Sequence, residues 1–148
     1  MMWALLGLLG GIASAAQTTV NSAMGLRVGI LVAALISMTT TMILLALWVL
    51  PSLRFGALIE QLQRAPAYLL LGGVFGGAFV VLMIVVAPRI GVGPATLAAV
   101  CGQIIASLLI DHFGLLGTTR LPVTGPQIIG GGMLLVGTFI VIHFKNPG

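Results

Sequence analysis

The sequence has very few charged residues, and this lack excludes most classes of soluble protein. Of its 148 residues only 5% are Asp, Glu, Lys or Arg, whereas about 25% are charged in an ordinary soluble domain. A soluble fold of this size could not cover its surface with so few charges. The mean hydropathy of +1.26 and the hydrophobic content of 59% therefore predict an all-α integral membrane protein.

Other absences narrow the function. A single cysteine, Cys101, excludes an internal disulfide and a cysteine metal cluster, and we interpret it as a small packing residue. The six basic residues lie far apart, so no basic surface is available for nucleic acid. No spacing of Ser, His and Asp suits a catalytic triad, and Gly91 and Gly93 lie in a short turn rather than a phosphate loop. We expect no enzyme activity, no metal and no cofactor.

The sequence does have five apolar blocks, separated by charged residues and prolines. Each is long enough for the about 20 residues that cross a hydrocarbon core. Pro94 and Pro126 suit the first turn of a helix, whereas Pro51 and Pro88 suit a helix stop. We predict a single domain over residues 1–148, with transmembrane helices near 3–24, 29–50, 67–87, 94–111 and 126–144.

The first block also has two features of a secretory signal, an apolar run and the small residues Ala13-Ser14-Ala15 after it. It lacks the Lys or Arg that precedes the apolar run of a signal peptide. We therefore expect a retained transmembrane helix.

Several of the 21 glycines recur four or seven residues apart within the apolar blocks. Small residues at these spacings share a helix face and let two transmembrane helices approach closely. We predict helix packing at Gly7 and Gly11 in the first helix, Gly72, Gly73, Gly76 and Gly77 in the third, and Gly130 and Gly137 in the fifth.

The first helix has a polar side. Ser14, Gln17, Thr18 and Asn21 fall at i, i+3, i+4 and i+7, so they share one face. An amide without partners is costly in hydrocarbon, so this face must point into a helix bundle or an aqueous cavity. Interhelical hydrogen bonding and a cavity wall are both open interpretations.

The fourth helix places Gln103, Ser107 and Asp111 at i, i+4 and i+8. Asp111 lies where the apolar run stops, where a charged side chain costs less than the about 2.5–3.5 kcal/mol of the bilayer centre. One interpretation is that its carboxylate caps backbone N–H groups of the following loop or pairs with Arg120. The other is that Asp111, with His112 beside it, takes up a proton or a cationic solute.

The basic residues are divided evenly between the two sides of the membrane. Arg54, Arg64 and Arg120 fall on one side, and Arg27, Arg89 and Lys145 on the other. We also expect Glu60 to pair with Arg64 at the surface. Because Lys and Arg bias sets orientation, the chain should insert both ways and form an antiparallel homodimer of ten helices, the inverted-repeat architecture of transporters. A single orientation fixed by a weak signal is the alternative.

Two stretches resemble a known family. They are NSAMG, residues 21–25, and PRIGVGPATLAAVCGQIIASLLIDHFGLLG, residues 88–117, followed by a glycine-rich final helix. They are similar to the YdcZ-like family of small bacterial inner-membrane proteins, in the drug/metabolite transporter superfamily. The resemblance covers nearly the whole chain. It implies five helices, a multi-pass protein of the bacterial inner membrane, and members that occur as dual-topology homodimers, paired proteins or ten-helix fusions.

The resemblance does not imply a substrate. Four-helix relatives use a glutamate in the first helix for proton coupling, and this chain has no acid there. We predict a secondary transporter that exports a small organic solute by alternating access at the dimer interface, with lipid and a second copy as partners. Gln17, Asn21, Gln103 and Ser107 are its predicted cavity lining. The alternative is a channel or an accessory membrane subunit without carrier activity.

Overall fold

The computed structural model describes residues 1–144, and every regular element in that range is a helix. The α-helices are α1 Met2–Val28, α2 Ile30–Val49, α3 Phe55–Arg64, α4 Leu71–Ile90, α5 Val92–Phe113 and α6 Gly125–His143. Short 3-10 turns lie at Leu50–Ser52, Ala67–Leu70 and Leu115–Gly117. Lys145, which entered the predicted charge balance, lies outside the described residues.

Within residues 1–144, five helical stretches are long and apolar enough to cross a membrane. They are Met2–Val28, Ile30–Ser52, Ala67–Ile90, Val92–Phe113 and Gly125–His143. The prediction of an all-α protein with five long apolar helices is confirmed. The antiparallel homodimer stays a prediction.

Three helices, α1, α4 and α5, end two to four residues later than predicted. The connections from α1 to α2 and from α4 to α5 are therefore shorter than predicted. α4 continues through Pro88 to Ile90, and the predicted stop at Pro88 is therefore wrong. Pro88 cannot donate the hydrogen bond that a backbone N–H would make to the carbonyl of Ile84, yet the helix continues for two more residues. It ends before Gly91, whose positive φ does not continue a helix. Pro94 and Pro126 lie in the first turns of α5 and α6, as predicted.

Single glycines join α1 to α2 and α4 to α5. Gly29 has φ 90° and ψ 155°, and Gly91 has φ 87° and ψ 153°. This region of backbone space is essentially open to glycine alone. The N–H of Gly29 donates to the carbonyl of Gly25 at 3.0 Å, and that of Gly91 to the carbonyl of Ala87 at 2.8 Å. The turns therefore keep these backbone groups paired, as a hydrocarbon surrounding requires.

The helices form two compact units, Met1–Val85 and the residues from Val86 onward. In the first unit α1 packs against α2, and the core consists of Ala33, Ala34, Val80 and Ile84. In the second unit α5 packs against α6. Large apolar side chains are exposed along every helix, which is expected of surfaces that face lipid or another membrane-embedded chain.

The link between α2 and α4 contains a further helix, α3. The predicted ion pair within it is confirmed. Arg64 Nη2 donates to Glu60 Oε1 at 2.6 Å across one helical turn, with both side chains exposed.

Candidate functional site

The polar side of α1 meets α2 through a hydrogen bond. Asn21 Nδ2 donates to Ser37 Oγ at 3.0 Å. Thr18, Asn21 and Ser22 are all buried, so this part of the polar side is a helix–helix contact. For Asn21, the geometry matches the interhelical interpretation of the α1 polar side. The buried Ser22 Oγ has no hydrogen-bond partner among residues 1–144.

Three threonines of α1 and α2 outside this contact are satisfied within their own helices. Thr19, Thr40 and Thr41 each donate to the carbonyl four residues earlier, at 2.9–3.0 Å. Such back-bonding meets the need of a hydroxyl in an apolar surrounding. These threonines therefore indicate no binding site.

Gln17 differs from its neighbours on α1. It lies near the middle of the span Met2–Val28 and its side chain is exposed. In the described part of the chain its amide makes no hydrogen bond, whereas the amide of Asn21 is engaged with Ser37. A membrane-embedded amide left in this state needs water, a solute or a second chain as its partner.

Gln103 is in the same state near the middle of the span Val92–Phe113. It is exposed and has no hydrogen bond to any described residue. Ser107, one turn later, donates from Oγ to the carbonyl of Ile104 at 3.0 Å, so its hydroxyl is satisfied by its own helix. The side of α5 that contacts α6 holds Cys101, Ile104 and Leu108, so Gln103 and Ser107 lie on another side.

The C-terminal end of α5 is closed by the loop that follows it. Gly114 adopts a left-handed conformation with φ 64°, which is the usual backbone of a helix C-cap. The carbonyl of Asp111 accepts from the Leu121 N–H at 2.7 Å. His112 Nδ1 accepts from the Val123 N–H at 3.2 Å. Backbone and imidazole groups therefore fasten this helix end.

The Asp111 carboxylate takes no part in these contacts. Arg120 Nε donates to the carbonyl of His112 at 3.1 Å, and among the described residues Asp111 has neither an ion pair nor a side-chain hydrogen bond. Asp111 is half-buried, and its carboxylate has no described partner. Whether Asp111 and His112 serve coupling or capping stays a prediction.

The glycines predicted to pack meet nothing within one chain. A Cβ added at Gly7, Gly11, Gly72, Gly73, Gly76, Gly77, Gly130 or Gly137 would have no neighbour within 4 Å. Their role in helix packing stays a prediction. Among the described residues, an added Cβ would have a neighbour within 4 Å at three other glycines. It would lie 2.5 Å from Ile84 Cγ2 at Gly25, 3.2 Å from Arg120 Cβ at Gly114, and 3.8 Å from Ile104 Cγ2 at Gly131.

Sequence reasoning missed three contacts between helices. Ser37 on α2 was not expected to pair with Asn21, because a hydroxyl gives no signal of its partner. Cys101 Sγ lies 3.0 Å from Thr138 Oγ1 and 3.7 Å from the carbonyl of Leu134. This buried contact between α5 and α6 fits the packing role expected of Cys101. The close approach of Ile84 to Gly25 was also not predicted, because Gly25 has no second glycine four or seven residues away on α1 to indicate a packing face.

The chain matches the family model described as "Putative inner membrane exporter, YdcZ" over residues 2–140. Comparison with curated proteins and with solved structures gave no match. Because the family match covers nearly all of the 148 residues, the protein belongs to the YdcZ family. The resemblance seen in the sequence is thereby confirmed, and the family description together with five candidate spans indicates a multi-pass inner membrane protein.

Proposed function

We propose that this YdcZ-family protein is a secondary transporter that exports a small organic solute through an antiparallel homodimer by alternating access. The family description supports an inner membrane exporter. The solute, the mechanism and the dimer are our proposal. It is a carrier function, driven by the solute gradient or by protons, and not an enzyme activity.

The observation that carries the proposal is the state of Gln17 and Gln103. Both amides lie near the middle of apolar spans, both are exposed on a single chain, and neither has a hydrogen-bond partner within residues 1–144. An unpaired amide in hydrocarbon costs several kcal/mol, roughly. Polar residues at this depth in transporters line substrate pathways, so a solute cavity explains both.

The uncovered glycines support a second copy of the chain as the other wall of this cavity. Eight glycines on three spans have open space where a Cβ would be, and such surfaces permit close helix approach. The even division of Lys and Arg favours insertion in both orientations. An antiparallel pair of five-span chains would reproduce the inverted repeat of larger transporters.

The proposed lining consists of Gln17, Asn21, Gln103 and Ser107, which are all uncharged. Gln17 and Gln103 are the principal candidates, because Asn21 and Ser107 already have partners in one chain. Amides donate and accept hydrogen bonds equally well. The lining therefore suits a neutral organic solute with polar groups of both kinds.

Transport by inside-out membrane vesicles tests the carrier. Vesicles containing the protein are incubated with a small-molecule extract, and their contents are measured by mass spectrometry. We expect a solute to accumulate saturably, and Gln17→Leu or Gln103→Leu to reduce its uptake about tenfold, equivalent to about 1.4 kcal/mol of lost binding. Thr40→Val is the matched control, because it removes a membrane-embedded hydroxyl that bonds only to its own helix.

Uptake that is unchanged in both glutamine variants would contradict the proposed lining. Ion current without saturable uptake would replace the carrier with a channel.

Reporter fusions at the C-terminus test the orientation. We expect signal from both sides of the membrane. Arg120→Gln and Arg89→Gln remove one charge from opposite predicted sides, so they should shift the two signals in opposite directions. Signal from one side only, unmoved by either variant, would contradict dual topology.

A further inference from the structure

The helix α3, Phe55–Arg64, has one apolar and one polar side. Successive apolar residues are three, one and three positions apart, which places them on a single stripe of about 100°. They are Phe55, Leu58, Ile59 and Leu62. The ion pair Glu60–Arg64 lies on the opposite side. α3 is therefore amphipathic, in contrast to the uniformly apolar spans on either side of it.

The apolar stripe is not covered by the described chain. Phe55, Ile59 and Leu62 are 60%, 58% and 57% exposed. No residue of α3 belongs to the core of its unit, which consists of residues on α2 and α4. Something outside residues 1–144 must cover the stripe, because water would be an unfavourable partner for three large side chains.

The connections at both ends of α3 restrict what that partner can be. The preceding span ends at Ser52 and the following span begins at Ala67. Two residues, 53–54, lead into α3, and two more, 65–66, lead out of it. Two extended residues reach only about 7 Å. Since consecutive spans are joined on one side of the membrane, α3 is held within that distance of the bilayer surface at both ends.

We infer that α3 lies in the membrane interface, with its apolar stripe inserted among lipid acyl chains and Glu60 and Arg64 toward water. Interfacial helices of this kind insert their apolar face about 5–10 Å into the boundary between headgroups and acyl chains. The partner is the lipid bilayer itself.

The charges of α3 indicate how it binds. Arg64 is neutralised by Glu60 at 2.6 Å, which leaves Arg54 at the N-terminal end of the helix as its net charge. Binding by attraction to anionic lipid requires a cluster of basic residues. α3 therefore binds through its apolar area, and its insertion should be nearly the same in zwitterionic and anionic bilayers.

Tryptophan scanning in proteoliposomes tests the inference. The native residues are first changed by Trp3→Phe and Trp48→Phe, since these are the two tryptophans of the chain. Phe55→Trp then reports from the apolar stripe, and Ala57→Trp is the matched control on the polar side. Phosphatidylcholine brominated at shallow or deep acyl positions quenches a tryptophan in lipid, and acrylamide quenches one in water.

We expect Trp at position 55 to be quenched at least about twofold more by shallow bromines than by deep ones, as an interfacial depth requires. The control at position 57 should be quenched by acrylamide instead. Adding anionic phosphatidylglycerol should change neither result. Ile59→Trp lies on the same stripe and replaces the first variant if that one does not fold.

Two results would overturn the inference. Protection of the stripe from both quenchers would mean that protein covers it, such as a second copy of the chain. Acrylamide quenching that is equal at positions 55 and 57 would mean that α3 is surrounded by water.

Discussion

Gly29 and Gly91 form turns of one shape in two regions whose packing differs. Each follows an arginine by two residues, in Arg27-Val28-Gly29 and in Arg89-Ile90-Gly91, and their backbone angles are nearly the same. The alanines four residues later, Ala33 and Ala95, both donate from N–H to the turn glycine, at 3.0 and 3.1 Å. Both are 1% exposed.

The regions differ four residues before the turns. At Gly25, on α1, the methyl Cγ2 of Ile84 occupies the space that a Cβ would need. The corresponding residue before Gly91 is Ala87, whose side chain is present and buried. Beyond the turns, α1 is joined to α2 by an amide–hydroxyl bond, whereas α5 meets α6 through a thiol and a hydroxyl.

The two regions share the backbone conformation of the turn but differ in the packing around it. The turn depends on a backbone conformation that glycine alone adopts easily, so it is the same wherever the local sequence is the same. The space around the turn depends on what another helix brings to it, so it changes between regions. Substitutions at and around the two turns can test the conformation and the packing separately.

Substitutions of the two turn glycines should lower the free energy of unfolding the most. We expect Gly29→Ala and Gly91→Ala each to lower the free energy of unfolding by about 3 kcal/mol, because a Cβ is strained at these angles. The measurement is unfolding in mixed micelles followed by circular dichroism. Gly10→Ala is the control, since it lies inside α1 with nothing within 4 Å of the added Cβ. Unequal losses of unfolding free energy at Gly29 and Gly91 would show that the two turns do not depend on backbone conformation alone.

Gly25 should be less tolerant than any other helical position tested here. Gly25→Ala places a Cβ against the stiff branched side chain of Ile84, and overpacking of this kind costs about 2 kcal/mol. The same unfolding measurement applies. Ile84→Ala should restore stability in the double variant relative to the sum of the single changes. Additive losses would show that the methyl of Ile84 is not the obstacle.

The connection between α5 and α6 differs from both glycine turns, since side-chain contacts hold it. His112→Leu leaves the Val123 N–H unpaired, which should cost about 1 kcal/mol. It should also speed trypsin cleavage after Arg120, whose side chain bonds to the His112 carbonyl. His112→Asn is the matched control, because an amide oxygen can accept in place of Nδ1. Equal cleavage rates for the two variants would mean that the hydrogen bond accepted by His112 Nδ1 does not hold this connection in place.

The number and the approximate positions of the spans were predictable because hydrocarbon imposes a length and a composition on any helix that crosses it. The pairing of Glu60 with Arg64 was predictable because helix geometry alone brings residues four apart together. The stop predicted at Pro88 was wrong, because α4 continues to Ile90 and ends before Gly91, whose positive φ does not continue a helix. The glycine angles at Gly29 and Gly91 are local, and the repeated Arg-x-Gly pattern could have revealed them.

The candidate site was less predictable, because helix periodicity says which residues share a face but not what that face meets. Gln17 and Asn21 share the polar side of α1, yet Asn21 is paired with Ser37 and Gln17 is exposed. One interpretation of the sequence was that the carboxylate of Asp111 caps the backbone N–H groups of the following loop. In the structure N–H groups of that loop donate to the backbone carbonyl of Asp111 and to His112 Nδ1. Tertiary partners decided each case.

Removing the side-chain hydrogen bonds between helices should change the free energy of unfolding the least. In a double-mutant cycle, Asn21→Ala and Ser37→Ala should show a coupling of about 0.6 kcal/mol, the average for polar pairs in membranes. Cys101→Ala and Thr138→Val should show less, because a thiol is the weaker donor. Unfolding of all single and double variants in the same micelles provides both values. Cys101 and Thr138 are more deeply buried than Ser37. A larger coupling energy for the thiol pair would therefore mean that burial has more influence than donor strength. The two regions would then differ in their surroundings and not in the chemistry of the bonded groups.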